Sequence, residues 1–554
     1  MNLELIKVVE TLDEDLLKVD FLNKTYVYYK SCVSANGRNA MREYLNVIKP
    51  GRNLQWPILW KYQDGNVDRS WPVDEFDMYD LLGRLLYYGV ENFLIKSYVN
   101  ETFNEIIIVL DKPQNNILAV GDMKEMLEQL GMSSEMAYNY AQQLRAVQSI
   151  WQIMFKRYLT QRQSYASLKP AMNYTDFKEN YPNLYNYIKN SGILKTKKRS
   201  VKIELSNVAY FDYVDANMRT DAKKEDLCNI VMLHMLHYLL QDSGAKDSFS
   251  KLNCLKELRH KLQLPLTFLY YEKVYKPNKK NKYPDIKLLF HRAKNSLIRL
   301  VKDSSDSFNI QYLRSHIHNI SFNFGNQPST VRNSYVQQLF DDIPQLLPHN
   351  FYYNHLQLLR HKLLTSQKRL EHSTHVMYSS QHQIGYSSTP FYDARLNMVL
   401  LPFGILQSPI YDAELHPIFK WSTLGVLMAK TIFHTQSVGK TYLYPPPTER
   451  ELYLENRIYL YNTQIDLSLA RMVGAIVVAY NAYLQNHQDY LQPEFTDIPW
   501  PKLFFLNMAQ LFCVNDGNTE LRRRNNLYLD NITSVLPQFE EAFHCQVETF
   551  VLGN

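Results

Sequence analysis

Apolar residues recur at helical spacing along most of the chain. Met78, Leu81, Leu82, Leu85 and Leu86 follow an i, i+3, i+4, i+7, i+8 pattern behind Pro72, which predicts one buried helical stripe. Leu127 and Leu130, the stretch 138–155, and the residues from Asn333 to about Leu370 keep the same period. The opening MNLELIKVVETLDEDLLKV carries Glu4, Lys7, Glu10, Asp13, Glu14 and Asp15, so it reads as an amphipathic helix rather than the apolar core of a signal peptide. Strand signals are few. The run EIIIVLDKP, Glu105 to Pro113, is short, β-branched and closed by proline, and NMVLLPFGIL, Asn397 to Leu406, has the same texture. An apolar helix is predicted from about Thr423 to His434, and two more long helices follow the break YPPPTE at Tyr444 to Glu449. The pattern predicts a fold that is mainly α with small β elements, with a joint near Gly325, Pro328 and Ser329.

Composition narrows the functions open to such a chain. Its 554 residues include only 17 glycines, and no two lie closer than Gly83 and Gly89, so G-x-G-x-x-G, G-x-x-x-x-G-K and G-x-S-x-G are all absent. Phosphate-cradling loops and the α/β-hydrolase elbow are thereby excluded. The formal net charge of +6 is too small for a nucleic-acid binder to be the expected class. Two basic stretches, Leu194 to Lys202 and Lys273 to Lys287, read as solvated surface loops, and Arg522 to Arg524 as a solvated face. No run of 18 apolar residues occurs, so no membrane span is expected. Tyrosine is frequent, 41 against 26 phenylalanines, which suggests wide and partly wet apolar walls. Five Asn-x-Ser/Thr tripeptides begin at Asn23, Asn100, Asn173, Asn319 and Asn531, a number near chance in an Asn-rich chain.

Residue spacing alone yields no catalytic set. Six of the 16 histidines lie between His349 and His382, but no Cys or carboxylate set beside them completes a tetrahedral metal shell. His234 and His237 stand inside the apolar helix NIVMLHMLHYLL and read as satisfied helix residues. Five cysteines, Cys32, Cys228, Cys254, Cys513 and Cys545, are few and odd in number and include no C-x-x-C.

Four segments resemble the neprilysin and endothelin-converting-enzyme family of zinc metallopeptidases. TPFYDARLNMVLLPFGILQSPIY, Thr389 to Tyr411, resembles the family's N-A-x-Y…N-x-I-x-x-P-A-G-I-L-Q-x-P segment through Tyr392, Asn397, Pro402, Gly404, Ile405, Leu406, Gln407 and Pro409. STLGVLMAKTIFHT, Ser422 to Thr435, is similar to the helix that holds H-E-x-x-H. AYNAYL with KLFFLNMAQLFC, Lys502 to Cys513, and FEEAFHC, Phe539 to Cys545, resemble the closing segments. The first half matches more thinly, through YYKSC at Cys32 and NFGNQP at Gly325.

The resemblance implies a two-lobed, gluzincin-type architecture with an internal cavity. Residues 1–385 would form the N-terminal region, a helical cap lobe to about 330 followed by bridging helices, and 386–554 a degenerate zincin-like lobe. In the family two histidines of H-E-x-x-H bind zinc, and the glutamate between them is the general base. In register with that motif stand Lys430, Thr431 and His434; the third ligand and the orienting aspartate of E-N-x-x-D fall at Ser468 and Met472. Only His434 is retained, so neither a zinc site nor another cofactor is expected. The family's substrate-holding Asn, Ala and Arg fall at Thr389, Pro390 and Tyr528, and Pro390 has no N–H to donate. Cys32 and Cys254 resemble a bonded pair, whereas Cys513 and Cys545 either pair with each other or stay reduced. The expectation is a catalytically inactive homologue acting on peptides or a family-member protein by binding, without nucleic acid, with a secreted or cell-surface setting implied. The alternative is an active zinc endopeptidase with non-standard ligands around His434.

Overall fold

The computed structural model describes residues 2–62, 64–66, 69–90, 94–101, 105–113, 117–160, 171–192, 200–218, 224–244, 249–278, 285–302, 308–327, 333–371, 389–394, 396–434, 467–514 and 519–545. Helices dominate it, as the apolar period requires. The Met78–Tyr87 helix buries Met78, Leu81, Leu82, Leu85 and Leu86, and starts at Asp77, whose carboxylate accepts from the backbone N–H groups of Tyr79 (2.9 Å) and Asp80 (3.2 Å). Its partner is the Pro182–Ser191 helix. The approach is so close that a Cβ on Gly83 would stand 2.6 Å from the Tyr187 carbonyl oxygen. The opening Asn2–Glu10 helix likewise turns Leu5, Ile6 and Val9 inward.

Two hydrophobic cores organise the chain. The larger gathers helices from residues 2–270 together with the Asn333–Phe340 and Phe351–Glu371 helices, and the Cys32–Cys254 disulfide ties the Asp20–Val33 helix to the Lys251–Lys261 helix within it. The second core is built from the Ile286–Lys302 and Phe308–His318 helices and from the elements after residue 390. The chain therefore enters the second core, returns to the first and leaves it again. An aromatic group lies between them: Phe403 stands 5.1 Å from Tyr270, 5.5 Å from Tyr275 and 4.9 Å from Phe324, ring centre to ring centre. Gly325, at φ 68°, passes directly under the Phe403 ring, where a side chain would have no room.

The strands form two small sheets. Strands β1 (Lys96–Glu101), β2 (Glu105–Asp111), β3 (Met172–Asn173) and β4 (Ser200–Leu205) lie in the order β1-β2-β4-β3, with β2 antiparallel to β1 and parallel to β4. The predicted run at Glu105 is thus a strand and ends before Pro113. Strands β5 (Ser321–Phe324), β6 (Phe391–Asp393) and β7 (Met398–Leu401) lie in the order β5-β7-β6, and all four residues of β7 are buried. The expected strand from Asn397 to Leu406 is shorter than its apolar run. Pro402 donates no ladder hydrogen bond, and Phe403–Ile405 turns into a 3-10 helix.

The basic stretch from Lys273 is not the loop expected of it. Residues 271–278 are helical, with Lys273 paired to Asp13 and Lys276 bonded to Glu272 at 2.8 Å; the loop reading missed these intrahelical and interhelical ion pairs. Most of the other basic stretch, at 193–199, lies outside the described residues, and Ser200 to Lys202 belong to β4. No described helix is long and apolar enough to cross a membrane.

Two alanine substitutions separate helix propensity from packing. In Gly83→Ala the gain in propensity meets the fixed backbone of a neighbouring helix, and a loss of about 1–3 kcal/mol in unfolding free energy is expected. Gly121, in the Val120–Gln129 helix, has nothing within 4 Å of its Cβ position, so Gly121→Ala should be neutral or stabilising by up to about 1 kcal/mol. Urea denaturation of the two variants checks both signs.

Candidate functional site

The segment that resembles a metal-binding helix is helical throughout 417–434. It comprises Pro417–Lys420, a π-helical turn at Trp421–Gly425, and Val426–His434. The π turn sits where Gly425 lets the Trp421 ring lie against the backbone, since a Cβ there would stand 2.6 Å from the indole. Lys420 anchors the start from a buried position, bonded to Asp285 (2.8 Å) and the Ala413 carbonyl (2.6 Å). The Leu467–Asn486 helix packs along this segment, and the Phe433 ring rests on Gly474 at a distance that leaves no space for a Cβ.

On this frame each of the expected positions has a definite setting. Lys430 is half-buried on the first helix. Thr431 is buried, and its hydroxyl donates to the Leu427 carbonyl one turn back at 2.9 Å. His434 ends the helix, and its side chain lies outside the described residues. Ser468 opens the second helix, with its Oγ 3.1 Å from the Tyr528 hydroxyl, so two of the expected positions meet directly. Tyr528 comes from the Thr519–Thr533 helix and packs its ring 5.9 Å from that of Phe512. Met472, 2% exposed, is part of the second apolar core. Thr389 is exposed and Pro390 half-buried, immediately before β6.

Among the described side chains of this set none is a zinc ligand. Lysine offers an ammonium, threonine and serine neutral hydroxyls, and methionine a thioether in an apolar core, whereas a zinc site needs three imidazole, thiolate or carboxylate ligands. Zinc therefore does not fit this set. Tyr392 and Asn397, at the neighbouring sheet, are joined by a 2.9 Å hydrogen bond, and Asn397 donates to the His316 carbonyl at 3.2 Å, which holds the β6–β7 connection closed.

A second polar group, missed in the sequence, lies inside the first core. Asp242, Glu257 and His355 bring one ligand atom each within 4.8 Å of one another. Their separation along the chain, on three different helices, hides the group from any spacing motif; the buried His355 in an apolar period was the available signal. Asp242 Oδ2 accepts from His355 Nε2 at 2.9 Å and also pairs with Lys261, whose side chain is fully buried. Tyr28 donates to Glu257 Oε1 at 2.8 Å, and Tyr44 lies 2.9 Å from His355 Nδ1. Burial pushes the Asp242 carboxyl up, but the hydrogen bond from His355 and the charge of Lys261 outweigh it and hold the group well below the usual carboxylate range. Burial raises the phenols of Tyr28 and Tyr44 well above their ordinary value. Although two carboxylates and an imidazole are metal-type donors, the Lys261 ammonium already supplies a cation, and Asp242 Oδ2 and Glu257 Oε1 already accept hydrogen bonds. The group is an internal ion network.

The other histidines singled out by sequence are accounted for locally. His234 is buried against Gln148 at 3.1 Å, and burial pushes its pKa down to about 3. His237 bonds Gln241, and His361 bonds Asp342 at 3.0 Å. His372, His375 and His382 lie outside the described residues. Cys228 is buried and unpaired, and Cys513 and Cys545 are exposed and unpaired.

No family model matches the chain. It is 23% identical to human neprilysin over 198 residues, 29% of this chain and 26% of neprilysin, so the match spans about a quarter of that relative. The fold is similar to that of PepO from Lactobacillus rhamnosis, with TM-score 0.63 and 12% identity over 99% of this chain and 91% of the other. It is also similar to the zinc metalloprotease Zmp1 of Mycobacterium tuberculosis in its open state, with TM-score 0.58 and 12% identity over 100% and 94% of the two chains. The class is thus the mainly helical fold of those peptidases. Over part of its length in sequence and over nearly all of it in fold, the chain resembles neprilysin-like zinc metallopeptidases.

The ion network gives a prediction with a sign. Lys261→Met leaves Asp242 with one cationic partner fewer in a buried site, and a loss of about 3–5 kcal/mol is expected at pH 7. Because the folded pKa of Asp242 is depressed, its contribution is present above the unfolded value near ~3.9 and disappears only as pH falls through the lower folded value. In the variant the carboxyl takes up a proton at higher pH, so the gap between variant and parent narrows as pH drops from 7 towards 4. Urea midpoints across that range check it.

Proposed function

We propose that this chain is a catalytically inactive neprilysin-like protein that acts by binding a peptide or a protein partner. The observation that carries the reading is the set of side chains in register with the family's metal and base positions. Lys430, Thr431, Ser468 and Met472 contribute no imidazole and no carboxylate, and His434 is the one ligand-type residue among them. One imidazole cannot hold zinc against water, and an adjacent ammonium repels a divalent cation. A threonine hydroxyl bonded to its own helix backbone has neither the pKa nor the lone-pair freedom to activate water. Ser468 and Tyr528 support the reading further, because each satisfies the other where the family would carry a metal ligand and a substrate-holding arginine.

The division of labour proposed with it assigns residues 1–385 to the N-terminal region, a cap lobe to about 330 followed by bridging helices, and 386–554 to the degenerate peptidase lobe, whose core the 286–302 and 308–318 helices join; a peptide or a family-member protein is the proposed partner. Pro390, which lacks an N–H, and the hydroxyl of Tyr528 in place of a guanidinium remove two of the family's substrate contacts, so recognition uses other groups. A secreted or cell-surface setting accords with the disulfide.

Purified protein should contain no stoichiometric zinc and should leave a mixed peptide pool uncut. Stoichiometric zinc together with cleavage that disappears in His434→Ala would overturn the reading. The combined substitution Lys430→His, Thr431→Glu and Ser468→Glu, measured by metal analysis, is expected to gain zinc that the parent lacks.

A further inference from the structure

The loop that joins the Leu467–Asn486 helix to the Trp500–Ala509 helix is held in one shape from within. The Gln492 side chain donates to the Thr496 and Ile498 carbonyls, each at 3.0 Å, and accepts from the Trp500 backbone N–H at 2.9 Å. Tyr483 donates to the Leu491 carbonyl at 2.6 Å. Even so, Phe495 is 62% exposed, and Tyr490 and Ile498 are exposed too. Phe495 lies on the rings of Phe419 (5.8 Å) and His416 (5.9 Å), so the apolar group continues onto the segment that opens the Pro417–Lys420 helix. An apolar group displayed on a fixed loop marks an interaction surface, because little of that loop remains to be ordered when a partner binds.

Charge identifies the chemistry of that partner. Asp412, Glu414, Glu494 and Asp497 are exposed on the two segments, and neither 405–419 nor 484–501 contains a lysine or arginine, although the chain as a whole carries a net charge of +6. The cations that follow these segments are engaged elsewhere: Lys420 is buried on Asp285, and Lys502 lies over the Phe543 ring. Arg292 and Arg299, the latter bonded to Gln485 at 2.6 Å, bound the patch on the side of the Ile286–Lys302 helix. One polar group beneath it is unspent. His487, 6% exposed, is stacked on Tyr483 and stands 5.4 Å from the Tyr490 ring, and its Nε2 accepts from Trp421 Nε1 at 3.2 Å. Burial pushes its pKa down to about 4, so at pH 7 the ring is neutral with its proton on Nδ1, which has no acceptor among the described residues.

We propose that this surface docks a basic segment of a partner protein, one in which lysine or arginine residues flank an apolar anchor. The anchor covers Phe495 and Ile498, the flanking cations meet Asp412, Glu414, Glu494 and Asp497, and a main-chain carbonyl of the segment accepts the hydrogen bond that His487 Nδ1 has to give. The same carboxylates repel nucleic acid and anionic lipid. The surface lies beyond the C-terminal end of the Leu467–Asn486 helix, about 27 Å of helical rise from Ser468 at its start, so it is separate from the positions in register with the family's metal ligands. An active peptidase lobe would carry it unchanged.

The test pans a phage library of random dodecapeptides on the purified chain. The selected peptides are then titrated by fluorescence anisotropy against the parent and two variants, Phe495→Ser and the pair Glu494→Lys with Asp497→Lys. Enrichment of peptides in which lysine or arginine flanks phenylalanine, leucine or tryptophan is expected, with affinity falling about tenfold or more in each variant and weakening as salt rises. All three substituted positions are exposed, and an unchanged urea midpoint shows that lost binding is not lost folding. Selected peptides without a basic bias, no enrichment at all, or equal affinity for the parent and both variants would sink the proposal. Binding to phosphatidylserine vesicles, or a concentration-dependent dimer in sedimentation, would sink it equally if Phe495→Ser abolished it, since lipid or a second copy would then be what covers the surface.

Discussion

The Phe433 ring lies on the bare backbone of Gly474, and this contact sets how closely the Val426–His434 and Leu467–Asn486 helices approach. A Cβ at 474 would drive into the ring and push the helices apart. The spacing matters because the positions in register with the family's metal ligands fall on both helices, Lys430 and His434 on one and Ser468 on the other. Here the frame persists while the displayed groups, Lys430, Thr431, Ser468 and Met472, are not metal ligands. Met472 packs into the second core, whereas Thr431 and Ser468 are each held by a hydrogen bond.

An apolar core explains how a chain only 12% identical to PepO has a similar fold over nearly its whole length. Ile432, Met428, Ala475, Ile476 and Ala479 are buried and apolar, and replacing any of them with a charge would carry a penalty in folding free energy. Thr431, itself buried, and Ser468 are polar positions on the same helices. Each needs only a local acceptor or donor, which the Leu427 carbonyl and the Tyr528 hydroxyl provide. Hydroxyl-bearing residues are easily accommodated at such places because a single hydrogen bond satisfies them.

Periodicity made the helices legible, and the Met78–Tyr87 stripe is buried residue for residue as its spacing implies. The small sheets were less legible. A two-residue strand such as β3 and a four-residue strand such as β5 have no period to read, and they exist because β4 and β7 offer edges to pair with. The end of β7 was overshot because apolar texture continues through Pro402 while the hydrogen-bond ladder cannot. The ion network of Asp242, Glu257, Lys261 and His355 was invisible, since its members come from three helices and meet only after folding. Even Lys273 to Lys276, which look like a solvated loop, are helical because Asp13 and Glu272 pair with their charges.

Under the proposed reading, the substitutions at the peptidase lobe also make electrostatic sense as a group. A metal shell holds anionic ligands only because the metal offsets their charge, and removing the metal alone would leave buried carboxylates uncompensated. At the positions in register with the family's carboxylates this chain has Thr431, Ser468 and Met472, all neutral, so no anion is stranded when no cation is present. The contrast with the first core is instructive. There Asp242 and Glu257 are kept, and Lys261 is kept with them, fully buried against Asp242. In the first core a protein cation stands beside the buried Asp242, whereas the positions in register with the family's carboxylates are neutral and need none.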